Sequence, residues 1–153
     1  MTLVVAPLLL SLTLAAGLEQ ATPDFSGKWT RIPTSPGEAV DTMIISQTAD
    51  TLTIERQSPD GVVRFVQRLD GSESRNVIKQ WKAKPPIETV HVSTTTWDGD
   101  SLVTRNPIPE YHPAPIVLTT VTRLEGTTLV IQVTQTSEAT GAVQNQHTFR
   151  YSK

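Results

Sequence analysis

The sequence predicts an all-β protein, an antiparallel meander of about ten strands. Three observations carry that expectation. Short runs that alternate apolar and polar residues fill the chain from Phe25 almost to its end. Turn-forming pairs separate those runs: Asp60-Gly61, Asp70-Gly71, Asp98-Gly99, Glu125-Gly126 and Thr140-Gly141. Threonine occurs 23 times and the aliphatics are mostly Val, Ile and Leu, residues that suit a pleated, half-buried surface. Apart from an N-terminal apolar stretch, no window repeats with the helical period. A closed barrel is the first expectation, because closure removes exposed strand edges. A two-sheet sandwich uses the same alternation and is the alternative.

The N-terminus is a separate object. Leu3 to Leu18 is almost wholly apolar, carries no charge, and ends near the small residues Ala15-Ala16-Gly17. It is short of the roughly 20 residues a spanning helix needs. It reads as a secretory signal peptide over residues 1–21, cleaved after Gly17 or Ala21. No Lys or Arg precedes it, although a signal peptide normally carries one; the competing readings are a buried N-terminal strand or helix and, after that, an uncleaved anchor. Residues 22–153 then form one β domain.

The strands follow in order. Phe25 to Arg31 is the first, and the loop Ile32 to Glu38 holds two prolines and a glycine. Thr42 to Gln47 turns at Ala49-Asp50 into Thr51 to Arg56, where Leu52 and Ile54 share a face. Ser58-Pro59-Asp60-Gly61 leads to Val62 to Leu69, and Asp70-Gly71 leads towards Asn76 to Lys82. After Pro85-Pro86 comes Ile87 to Trp97, turned at Asp98-Gly99 into Ser101 to Arg105. Asn106 to Pro115 holds four of the eleven prolines and is expected to be loop. Ile116 to Leu124, Thr127 to Gln135 and Val143 to Tyr151 complete the set. In the last of these, His147, Phe149 and Tyr151 share one face.

Composition removes several functions. The net charge is -2 and no basic stripe exists to follow phosphates, so no nucleic-acid partner is expected. There is no cysteine, which excludes disulfides, thiolate metal sites, thiol catalysis and a lipoprotein anchor. The expected location is secreted or periplasmic, with no stable membrane anchor once the signal is cleaved.

Asp24-Phe25-Ser26-Gly27-Lys28-Trp29 resembles the Gly-x-Trp opening of lipocalin-like, calycin-type barrels. In those barrels the tryptophan closes one end and an arginine near the last strand lies on it. The resemblance therefore implies structural roles for Gly27 and Trp29, with Arg150 as the partner. The chain is also similar to a group of secreted bacterial domains of uncharacterised function. Those share Phe-Ser-Gly-x-Trp, a central Asp-Gly turn and a later Trp-Asp-Gly-x-x-Leu hairpin, here Phe25 to Trp29, Asp70-Gly71 and Trp97 to Leu102. The Thr-Asp-Tyr loop of true lipocalins is missing.

Residues that could carry chemistry are sparse. His91, His112 and His147 match no metal-ligand spacing, so neither a metal nor any other cofactor is expected. His91 alternates with Val90 and Val92 and faces outward if those valines face in. His147 lies where some calycin-like barrels ligate haem, but nothing else in the chain supports haem. Ser26 lacks a nucleophile-elbow context, and Asp60, Asp70, Asp98 and Asp100 suit turn geometry, so no catalytic residue is assigned. Asp98-Gly99-Asp100 lacks the further oxygen ligands of a calcium loop. Lys79, Lys82 and Lys84 surround Trp81 and suit protection of a strand edge. Glu110-Tyr111-His112, in the proline-rich loop, is the densest group of functional side chains.

These readings favour a non-catalytic binding module holding a small apolar ligand in a barrel cavity. The expected lining is Val90, Val92, Leu118, Ile131 and Phe149, with Tyr111 and His112 at the mouth. The alternatives are a protein- or envelope-interaction domain with a filled core, and an enzyme using His and carboxylate groups at the mouth.

Overall fold

A computed structural model describes residues 22–38, 40–58, 61–80, 87–111 and 113–153. The signal-peptide expectation falls on residues outside this set. Ten strands form: β1 (Gly27–Arg31), β2 (Thr42–Gln47), β3 (Thr51–Ser58), β4 (Gly61–Arg68), β5 (Glu73–Gln80), β6 (Ile87–Asp98), β7 (Ser101–Ile108), β8 (Ile116–Glu125), β9 (Thr128–Ser137) and β10 (Val143–Ser152). No helix occurs among the described residues. All paired neighbours run antiparallel, in one sheet of order β4-β3-β2-β1-β10-β9-β8-β7-β6-β5. The expected all-β meander is therefore the observed architecture.

Strand alternation accounts for the core. In β2, Met43 and Ile45 are buried while Ile44 and Ser46 are exposed. Across the ladder Ile45 faces Ile54 of β3, and Trp29 faces Met43. Phe25, Trp29, Met43, Ile45, Leu52, Leu69, Leu102, Leu129, Ile131 and Tyr151 form one cluster on the concave face. The segment before β1 is tied over this cluster. The Phe25 amide donates to Gln47 Oε1 at 3.0 Å, and Gln47 Nε2 donates to the Pro23 carbonyl at 2.9 Å. Phe25 stacks on Trp97 with centroids 5.9 Å apart, and Trp29 Nε1 donates to the Phe25 carbonyl at 2.8 Å. The Trp29 indole is thus buried with its only donor satisfied.

The cation on Trp29 is Lys153, not Arg150. Lys153 Nζ stands 4.9 Å from the ring centroid. Alternation along β10 explains the exchange, since Phe149, Tyr151 and Lys153 share a parity that Arg150 does not. Arg150 lies on the opposite face and its Nη1 donates to Glu125 Oε2 at 2.7 Å. Gly27, at φ +142°, supplies the clearance: a Cβ there would come within 2.8 Å of Lys153 Cε. The glycine two residues before the tryptophan lets the lysine stem cross to the indole.

β7 runs to Ile108, past the expected end at Arg105. The proline-rich stretch was expected to be loop throughout, yet Asn106, Pro107 and Ile108 pair with Leu118, Val117 and Ile116 of β8. The β6–β7 register ends at Thr94↔Arg105, so Pro107 sits where β7 has a ladder on one side only. A proline there withdraws no second-side hydrogen bond.

The sheet is not closed by a continuous backbone ladder. β4 and β5 are consecutive in sequence yet occupy its two ends. Side chains of β5 bridge that seam. Asn76 Oδ1 accepts from the Val66 amide at 2.8 Å, and Asn76 Nδ2 donates to the Val66 carbonyl at 3.0 Å. Ser74 Oγ accepts from the Arg68 amide at 2.8 Å. The connecting turn is held to the sheet by Leu69 N–H to the Asp50 carbonyl (2.9 Å) and Gly71 N–H to the Thr95 carbonyl (3.0 Å). The primary amide of Asn76 presents one donor and one acceptor side by side, which is what a neighbouring strand residue would offer.

Candidate functional site

Beside the apolar cluster the concave face is hollow. A pocket of about 300 Å³ is bounded by side chains from β3 through β10, so residues from both ends of the sheet order face one space. Its apolar part is made of Ile54, Ile131, Val133 and Phe149, which also pack on the core cluster, with Phe65 and Leu118 added. Its polar part is larger than a greasy container would have. Asn76 and His91 face each other in the β5–β6 register, and Ser93, Thr104, Thr120, Thr122, Asn106, Gln67 and Arg56 complete the wall.

Of the expected lining residues, Leu118, Ile131 and Phe149 border the pocket and Val90 and Val92 do not. Val90 is 53 % exposed. β6 has the opposite phase to the one its valines suggest, because His91, Ser93, Thr95 and Trp97 form its inward face. His91, expected outward with those valines inside, meets Phe65 edge-on at 5.9 Å. Trp97, the large aromatic at the far end of the same strand, was the available signal for that phase. His147 is exposed and stacks on Phe149 at 6.2 Å. Tyr111 is 42 % exposed and does not border the pocket. His112 lies outside the described residues, as do Trp81, Lys82 and Lys84. Lys79 pairs with Glu88 of β6 at 2.8 Å.

Arg56, Asn76 and Asn106 are site residues that the sequence reading passed over. Arg56 continues the inward face of Leu52 and Ile54, so its direction was legible there. Asn76 is 8 % exposed and serves both the seam and the pocket wall. Asn106, with its amide nitrogen turned towards them, donates to the Val92 and Pro107 carbonyls at 3.2 Å each. It thereby spans the gap where β6 and β7 part beyond Thr94↔Arg105. Two asparagines thus hold strands together at places where backbone pairing has stopped.

The charged side chains sort by face. Glu55 pairs with Arg64, Glu73 with Arg75, and Glu125 with both Arg123 and Arg150, all on the convex face. Val130, fully buried there, lies between its register partners Arg123 and Arg150. At the rim near Phe149, Arg31 lies 4.7 Å from that ring and pairs with Glu38. Tyr151 beside them is shifted up by burial, a rise that the nearby Arg56 guanidinium opposes. Its hydroxyl reaches Asp41 Oδ2 at 3.5 Å, and Asp41 Oδ1 is buried without a hydrogen-bond partner. Among the described residues no carboxylate borders the pocket, and none there pairs with His91. Among the described residues no group of three or more His, Asp or Glu is placed to hold a metal ion.

No protein-family model matches the chain, and no curated protein matches it.

Proposed function

We propose that this chain is a secreted, non-catalytic binding module: a lipocalin-like barrel that holds one small molecule in its interior. The observation that carries the reading is the pocket of about 300 Å³ set against a filled core. That volume is at the small end of ligand sites. Taking ~30 Å³ per water, it equals about ten waters, which suits a compact ligand of roughly ten to fifteen non-hydrogen atoms. The apolar floor would take the body of such a molecule, and the amides and hydroxyls of the wall would orient its polar end. Support for closure into a barrel comes from the side-chain bridges between β4 and β5 and from a pocket that strands of both sheet ends border. Support for secretion comes from the apolar, small-residue-terminated segment at residues 1–21.

The test is native mass spectrometry of protein purified from its own host, alongside Leu118→Trp, which fills the pocket. The expected result is a retained small molecule on the wild type and its loss from the variant. Protein that carries nothing, and whose melting temperature no small amphiphile raises, would refute a container and favour the filled interaction domain.

A further inference from the structure

We infer that the pocket is selective for an organic anion, a compact apolar body ending in one carboxylate-type head that Arg56 neutralises. The inference rests on the proposed binding function and adds the chemical class of the ligand. Three observations converge on it.

Arg56 points inward on β3 and borders the pocket, half-buried. Among the described residues Arg56, Arg68 and Arg105 make no ion pair, whereas Arg31, Arg64, Arg75, Arg123 and Arg150 each have a carboxylate partner; Arg68 and Arg105 are exposed, so Arg56 is the half-buried one of the three. Asp41, which like Arg56 acts on Tyr151, makes no ion pair with Arg56 either. Among the described residues the pocket wall contains no Asp or Glu, and its other ionisable side chain is His91. A half-buried guanidinium with no carboxylate in contact is an arrangement that an incoming anion improves. The planar fork of arginine also fits the two oxygens of a carboxylate. The apolar floor of Ile54, Ile131, Val133 and Phe149 lies in the same space and would receive the body. An ammonium-headed amphiphile would meet like charge, and a neutral one would leave Arg56 uncompensated.

Octanoate, 1-octanol and octylamine share one apolar body and differ in head group, so calorimetric titration of the purified protein with each separates the terms. The wild type is expected to bind octanoate about tenfold or more tightly than octanol, and octylamine least. Arg56→Met keeps much of the side-chain volume and removes the charge; it should bring octanoate down to the octanol level. Arg56→Lys should keep part of the preference. Equal affinity for octanoate and octanol in the wild type overturns the inference while leaving the binding function standing. A preference for octanoate that survives in a folded Arg56→Met also overturns it. Failure of all three probes to bind overturns the inference, and together with host-purified protein that carries nothing it overturns the binding function as well. The head-group comparison on the wild type needs no variant to fold.

Discussion

Removing the Asn76 side chain tests how the two ends of the sheet are held. Asn76→Ala deletes two hydrogen bonds to one residue, at 2.8 Å from the Val66 amide and 3.0 Å to the Val66 carbonyl. A net contribution of about 0.5–1.5 kcal/mol per bond gives about 1–3 kcal/mol. Asn76 is 8 % exposed, so water replaces the lost partners poorly and the upper half of that range is expected. In a domain of this size a loss of about 2–3 kcal/mol lowers the melting temperature by roughly 4–12 °C. The assay is urea unfolding followed by tryptophan fluorescence, with amide exchange at Val66 as the local readout. Asn76→Asp refines it. Its carboxylate still accepts from the Val66 amide but opposes the Val66 carbonyl oxygen, so its folded pKa is raised above the unfolded value of about 3.9. A raised carboxyl contributes its stability below the unfolded pKa and loses it as pH rises through the folded one. The variant should therefore approach the wild type in acid and fall behind it at neutral pH. An Asn76→Ala loss under about 0.5 kcal/mol, the scale of an ordinary surface change, would refute the bridging role. So would an Asn76→Asp deficit that does not change with pH.

Thr95 and Thr104 share a buried hydroxyl–hydroxyl bond at 2.9 Å. Either single change to Val should cost about 1–3 kcal/mol by stranding the other hydroxyl, and the double change should cost less than the sum, read in a double-mutant unfolding cycle. Trp29→Ala empties the largest site in the core and should cost about 3–5 kcal/mol, whereas Lys153→Met should cost no more than about 1 kcal/mol, both measured by denaturant midpoint. Glu125 is held below its ordinary value of 4.5 by hydrogen bonds from Arg150 and Arg123. Its contribution is present above that value and fades as pH falls through the lowered one. The difference in melting temperature between wild type and Glu125→Gln should accordingly shrink in acid.

Most of the strand order was legible because burial on one face writes itself into the sequence. β2 was read with its observed limits, since Met43 and Ile45 alternate with Ile44 and Ser46 without interruption. β6 misled for the converse reason. Its inward face is polar: His91 and Ser93 wall the pocket and Thr95 is buried against the Thr104 hydroxyl, while Val90 is on the solvent side. Where the interior is hollow, hydrophobic alternation loses its sign, and only Trp97 preserved the true phase. The seam was not legible at all. Whether two strands pair depends on backbone groups, and side-chain pattern records faces, not edges. Asn76 therefore read as one more polar strand residue.

The first and last strands are neighbours in the middle of the sheet, joined by the pairs Thr30↔Ser152 and Arg31↔Tyr151. Every other adjacent pair of strands in that sheet is also consecutive along the chain, so hairpins can zip up locally in two separate sets. Only the meeting of β1 with β10 must close a loop spanning nearly the whole domain, at the largest entropic cost. The two hairpin sets therefore meet along two lines, the short β1–β10 ladder and the side-chain seam between β4 and β5, and the pocket is bordered by strands of both sets.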